Sequence, residues 1–187
     1  MTKTKYQIKV TLCDTHPPVW RRIVVGSSLE LPDLHDVLQI SMGWQDYHLH
    51  QFSVGQKRYG VLDPDWDDDE IIDEQEVPLS SIFKGKTKTI IYEYDFGDSW
   101  VHEIILEKVL PMALGDSLAV CIEGERACPP EDCGGTSGFQ SCLEAIADPS
   151  HEDYEDMINW VGSPFNPVSF SVDQINKRLK RKETALA

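Results

Sequence analysis

Positive charge is scarce in this chain: 17 lysines and arginines stand against 32 aspartates and glutamates, a formal net charge of -15 over 187 residues. A field of that sign repels phosphate backbones and anionic bilayers, which argues against bulk nucleic-acid binding as a general role. Long apolar runs are absent as well, and the start, MTKTKYQIKV, lacks the apolar core of a secretion signal. The expectation is a cytoplasmic protein with no membrane partner. Five cysteines, an odd number without a CxxC pair, fit reduced thiols better than a disulfide framework. The spacings of Cys121, Cys128 and Cys133 (C-x6-C, C-x4-C) make poor zinc text, although a zinc completed by a histidine stays open. There is no GxSxG elbow, no P-loop and no GxGxxG.

What is present supports a folded chain. A hydrophobic fraction of 41% with 26% charged residues is ordinary for a globular protein and argues against wholesale disorder. We read one domain over residues 1–187, strand-rich over 1–110, with a loop and helices over 111–187.

Residues 5–13 alternate Tyr6, Ile8, Val10 and Leu12 with polar neighbours, which predicts a half-buried strand. Residues 18–25 predict its antiparallel partner across the THPP turn. In LPDLHDVLQISMGW, Leu34, Leu38 and Met42 recur every fourth residue between Pro32 and Gly43, so a helix is expected over 32–42. YHLHQFSVGQKRYGVL reads as a hairpin turning at Gly55-Gln56, with Phe52 opposite Tyr59 and His48 opposite Asp63. The nine acids of residues 63–76 predict an exposed loop. Asp63, Asp65, Asp67 and Glu74 fit the ligand spacing of a calcium hand, but Asp68 stands where such a hand needs glycine. A second hairpin, TKTIIYEYDFGDSWVHEIILEKV, is followed by a loop to 137. Three helical stretches close the chain: one from about 138, one capped by Ser150, and one ending in a basic run. The order implies an α+β fold with a mainly antiparallel sheet, one helix after the first two strands, and a C-terminal helical segment.

Three places carry chemistry. In the second hairpin, an even-numbered loop (Gly97-Asp98, or Phe96 to Ser99) sets Asp95 opposite Trp100 and Glu93 opposite His102. Those four side chains then share a face, where a carboxylate beside an imidazole suits a base or a metal ligand, or merely a salt-bridged row. His48 and His50 form an H-x-H pair; joined by His102 they would make a three-imidazole site for a divalent metal such as zinc or manganese, with Asp63 or Glu93 adding a carboxylate. Structural histidines packed on Trp44 or Tyr47 are the alternative. In ERACPPEDCGG, Gly134-Gly135 permits positive φ just before a helix, a cradle for an anion clamped by Arg126. Glu131 and Asp132 beside it instead suit a metal or a cationic group.

With PPVWRRI, GWQDYHLHQF, YDFGDSWVHEI and CIEGERACPPEDCGG in order, the chain resembles the plasmid pRiA4b open-reading-frame-3-like family from Tyr6 to about Leu179. The resemblance implies an α+β domain of prokaryotic origin, sometimes carried on plasmids or near transposable elements, without an established activity. It carries the family signature onto Trp20, Arg21, Trp44, His48, Phe52, Asp95, Gly97, Asp98, Trp100, His102, Pro129, Pro130, Glu131, Asp132, Gly134 and Gly135. Three functions follow as expectations. The first is a binding module in which Trp44, His48, Glu93, Asp95, Asp98, Trp100, His102, Arg126, Glu131, Asp132, Gly134 and Gly135 line a polar-aromatic groove for a small-molecule or protein ligand. The second is a metal-dependent hydrolase using His and carboxylate ligands. The third is a DNA-associated accessory protein of mobile elements, resting on the resemblance and the basic run KRLKRK.

Overall fold

The computed structural model describes residues 4–62, 70–162 and 165–186. Among these described residues eight strands build one sheet: β1 (Thr4–Leu12), β2 (Val19–Gly26), β3 (His50–Val54), β4 (Lys57–Gly60), β5 (Ile71–Asp73), β6 (Thr89–Tyr94), β7 (Trp100–Pro111) and β8 (Ala119–Glu125). Five helices accompany them: α1 (Leu31–Met42), α2 (Leu79–Ile82), α3 (Gly135–Ala147), α4 (Tyr154–Val161) and α5 (Val172–Leu186). The spatial order is β5-β4-β3-β6-β7-β1-β2-β8, antiparallel throughout except for the parallel β4–β5 pair. This is the α+β class with a mainly antiparallel sheet.

Period-two patterning decides which face is buried. Ile8, Val10 and Leu12 of β1, Val19, Ile23 and Val25 of β2, Ile90 and Tyr92 of β6, and Ile104 of β7 are almost fully inside. The opposite face carries polar residues, among them Arg22, which binds Glu107 at 2.8 Å and also pairs with Glu123. α1 lies on the buried face with Leu31, Leu34 and Leu38 inside, each such burial stabilising by roughly 1.5–3 kcal/mol. Pro32 sits in its first turn, and Gly43 (φ 109) closes it with an N–H to Gln39 O bond. α5 packs against β8 and α1.

The first hairpin of the middle region forms in the expected register, Phe52 opposite Tyr59 around Gly55-Gln56. His48, however, precedes β3, and Asp63, like the other calcium-hand positions up to residue 69, lies outside the described residues. Three elements differ from expectation. Residues 119–125, read as loop, form the edge strand β8, whose Val120 and Cys121 pair with β2 although Glu and Gly dilute its apolar pattern. Ile71–Asp73, read as acidic loop, is an edge strand beside β4. Ser150 does not cap a helix: its hydroxyl binds Asp148 Oδ1 at 2.7 Å, and α4 starts at Tyr154 behind Asp153.

The largest correction concerns the second hairpin. Tyr94 faces Trp100, Tyr92 faces His102, and Glu93 faces Val101. An odd loop, Asp95 to Ser99, separates the strands, and a one-residue change moves every side chain to the other face. The loop is odd because Asp95 (φ 57) and Ser99 (φ 54) both adopt left-handed backbone and Asp95 Oδ1 accepts the Gly97 N–H at 2.9 Å. Aspartate tolerates that conformation by bonding its own backbone.

Candidate functional site

Beyond Gly43 the chain turns Trp44 into the core, 3% exposed, where its indole N–H donates to Pro129 O at 3.1 Å. This bond ties the PPED loop to the end of α1. The Trp44 ring stacks on Tyr94 (5.0 Å, 30°) and meets the edge of His102 (5.2 Å, 85°). The Tyr94 hydroxyl accepts the Tyr47 N–H at 3.0 Å and points at Glu131, 3.3 Å from Oε1. Burial and the nearby Glu131 carboxylate raise that phenol to about 12, so it stays a neutral donor. Glu131 Oε1 also accepts the Gln45 N–H at 2.9 Å. Two loops distant in sequence are thereby locked together.

His48 stands at their junction. Its Nε2 lies 3.2 Å from Asp132 Oδ1, 3.7 Å from Asp95 Oδ2 and 4.0 Å from Glu131 Oε2. That nitrogen is buried and makes no hydrogen bond among the described residues. One donor atom each from His48, Asp95 and Asp132 lies within 4.8 Å of the others, and they are the single such group among the described residues. Asp95 is held by its turn and is 7% exposed, whereas the Asp132 side chain is 70% exposed.

Asp98 and the paired glycines have a supporting part. Asp98 Oδ2 accepts the Gly134 N–H at 3.1 Å, so the cradle expected to bind an external anion already holds the chain's own carboxylate. A Cβ on Gly135 (φ 68) would fall 2.6 Å from Asp98 O, which explains glycine there. Arg126 makes no ion pair with this group among the described residues, so it is not placed as a clamp.

The remaining candidates lie elsewhere. Glu93 is on the other face, bound by Ser99 Oγ (2.7 Å) and Gln51 Nε2 (2.8 Å). Trp100 and His102 are fully buried behind Trp44, and burial lowers His102 to about 4. His50 turns away to Glu74 at 3.1 Å and to the ring of His35. The three imidazoles therefore do not converge, because His48 precedes the strand and the shifted register sends His102 inward. Burial lifts the Cys128 and Cys133 thiols well above their usual range, Cys133 to about 12, which disfavours thiolate ligands. Tyr94 and His35 were missed by the sequence reading, and Glu74, read there as a calcium-hand position, instead meets His50. Tyr94 could have been found had the Tyr92-Tyr94 alternation, rather than Glu93-Asp95, been taken as the buried set.

A family model described as "Plasmid pRiA4b ORF-3-like protein" matches residues 4–174. The chain belongs to the plasmid pRiA4b ORF-3-like family. It is 38% identical over 178 residues to uncharacterized protein y4hQ of Sinorhizobium fredii (strain NBRC 101917 / NGR234), covering 95% of this chain and 91% of that protein. It is similar in structure to the crystal structure of protein of unknown function MM3350 from Methanosarcina mazei Go1. The TM-score is 0.85 at 35% identity, across 92% of this chain and 98% of the other. Among the described residues of this pRiA4b ORF-3-like chain, no helix is long and apolar enough to cross a membrane.

Proposed function

We propose that this chain is a ligand-binding module whose polar-aromatic groove holds a divalent cation, zinc or manganese, through His48, Asp95 and Asp132. The observation that carries the reading is the His48 Nε2 atom, buried, without a hydrogen bond among the described residues, and facing three carboxylates. Two donors of one tetrahedral zinc, each ~2.0–2.2 Å from the metal, lie roughly 3.3–3.6 Å apart. The separations of 3.2 and 3.7 Å from Nε2 to the two aspartates bracket that value. Imidazole and carboxylate donors also suit zinc and manganese better than a soft-metal site. Glu131, fixed by Tyr94 and Gln45, stands next to the ligands rather than among them.

Elemental analysis of protein purified without chelator or immobilised metal tests this. One equivalent of zinc or manganese is expected, lost in His48→Ala and retained in His50→Ala. A folded protein that takes up neither ion during dialysis would overturn the reading.

One observation favours hydrolysis as a second reading: the Asp132 ligand is exposed, leaving one side of the cation open to water. Catalytic metal sites keep such a position, and Glu131 would then accept the proton of the bound water. Metal-dependent turnover of p-nitrophenyl phosphate, abolished by Glu131→Gln with the ion still bound, is the result that would establish it.

A further inference from the structure

An open cavity of about 550 Å³ lies between the end of α1, the loop after β8, and α4 and α5. Arg21 of β2 lines it and is only 2% exposed. In a chain with almost twice as many acids as bases, a buried guanidinium would ordinarily be met by a carboxylate. Arg21 has none. Its Nε donates to Ser41 O at 2.8 Å, and its Nη1 donates to Trp20 O and Glu125 O, each at 2.8 Å. The Glu125 carboxylate itself points to the other sheet face, where it accepts the Trp20 indole N–H at 3.3 Å. Glu131, which also lines the cavity, is engaged by Gln45 and Tyr94 and forms no ion pair with Arg21. Arg21 Nη2 has no hydrogen-bond partner among the described residues.

The surroundings are arranged to leave this cation in place. Phe170 covers one face of the guanidinium, with Cζ 4.8 Å from the ring centroid. Gly124 of β8 makes that possible, because a Cβ there would lie 2.6 Å from the Phe170 ring. Trp160, Phe165 and Ile175 add apolar wall, and Arg178 of α5 adds a second positive charge. Burial lowers Arg21's hold on its proton, and only the thiols of Cys128 and Cys121 act the other way.

We propose that this cavity binds a small organic carboxylate with an apolar or aromatic body, its carboxylate on Arg21 Nη2 and its body against Phe170 and Trp160. A carboxylate fits better than a phosphate ester. The guanidinium has one terminal nitrogen left to donate, and a doubly charged group would face a net charge of -15 with only Arg178 in addition. A cavity of this size suits a ligand of fragment to drug-like dimensions. The site uses none of the cation ligands and stands independently of the proposed function.

The test is calorimetric titration of the full chain, in the presence of EDTA, with 3-phenylpropionate, phenethylamine and phenyl phosphate. The carboxylate is expected to bind saturably and at least about tenfold more tightly than the amine, a difference that one well-placed ionic hydrogen bond supplies. Gln174→Trp, which fills the cavity from an exposed position on α5 without touching Arg21's hydrogen bonds, is expected to weaken binding by at least about tenfold. Arg21→Gln is expected to do the same. If that variant fails to fold, Gln174→Trp decides alone. Equal affinity for acid and amine, no saturation by the carboxylate, tighter binding of phenyl phosphate, or an unchanged affinity in Gln174→Trp would each overturn the proposal.

Discussion

His35 lies flat on His50, with ring centroids 3.6 Å apart and planes 10° from parallel. Both nitrogens of His35 are engaged, Nδ1 with the Tyr92 hydroxyl and Nε2 with Asp46, each at 2.8 Å. Burial and the facing His50 ring lower the proton affinity of His35. On β7, across β6 from His50, His102 is fully buried, its Nε2 has no partner among the described residues, and burial lowers it to about 4.

Acid should therefore destabilise the fold before its carboxylates titrate. Between pH 6.5 and about 4 an unfolded His102 binds a proton that the folded one refuses, so stability falls as pH falls through that window. The loss from His102 is on the order of 3 kcal/mol, with His35 adding in the same direction. Urea unfolding at pH 7, 5.5 and 4.5 measures it. His102→Phe is expected to flatten the slope, and an unchanged slope would refute the assignment.

Asp95 has two separable tasks, holding its turn with Oδ1 and facing His48 with Oδ2. Asn tolerates left-handed backbone and keeps the acceptor, so Asp95→Asn should fold with stability close to the parent and lose most of its cation affinity. Asp95→Ala should in addition cost about 1–2 kcal/mol from strain and the lost turn bond. Thermal melts with and without zinc distinguish the two variants.

Of the two adjacent glycines, the second is the more constrained. Gly134→Ala meets nothing nearer than 3.8 Å and should cost about 1 kcal/mol from its positive φ alone. Gly135→Ala adds a contact 2.6 Å from backbone oxygen, and should cost at least about 2 kcal/mol. Denaturant midpoints of the two single variants test the ranking.

Tyr94→Phe keeps the buried ring but leaves the Tyr47 N–H unpaired and Glu131 without its phenol donor. A stability loss of about 1–2 kcal/mol is expected, together with faster hydrogen exchange at the Tyr47 amide. Unaltered exchange there would show that the hydroxyl does not fasten the two loops.

Where side-chain period and end signals agree, the fold was legible: β1, β2, α1 and the Gly55-Gln56 hairpin follow from alternation, a proline start and a glycine stop. The second hairpin was not, because its register depends on whether Asp95 and Ser99 take left-handed backbone, a choice made by local hydrogen bonds that no periodicity reports. β8 escaped because an edge strand can carry Glu123, Gly124 and Glu125 without losing its ladder. At the candidate site, His48, Asp95 and Asp132 were each singled out from residue chemistry, but so were Glu93 and His102, which the one-residue shift sends elsewhere. Arg21 drew attention only through the family resemblance, since its missing counter-charge is a property of three-dimensional packing.

The strand order bears on how the chain is made. β1 is made shortly before β2 and long before β7, yet it lies between them, with Thr4 facing Pro111 and Leu12 facing His102. The β1–β2 hairpin therefore waits with the outer edge of β1 unpaired while residues 27–99 are made, until β7 (Trp100–Pro111) follows. Such distant pairings are closed slowly, on timescales of roughly milliseconds to seconds once the chain is complete. Through synthesis, which adds ~5–20 residues each second, the unpaired edge of β1 is an open template for wrong pairings.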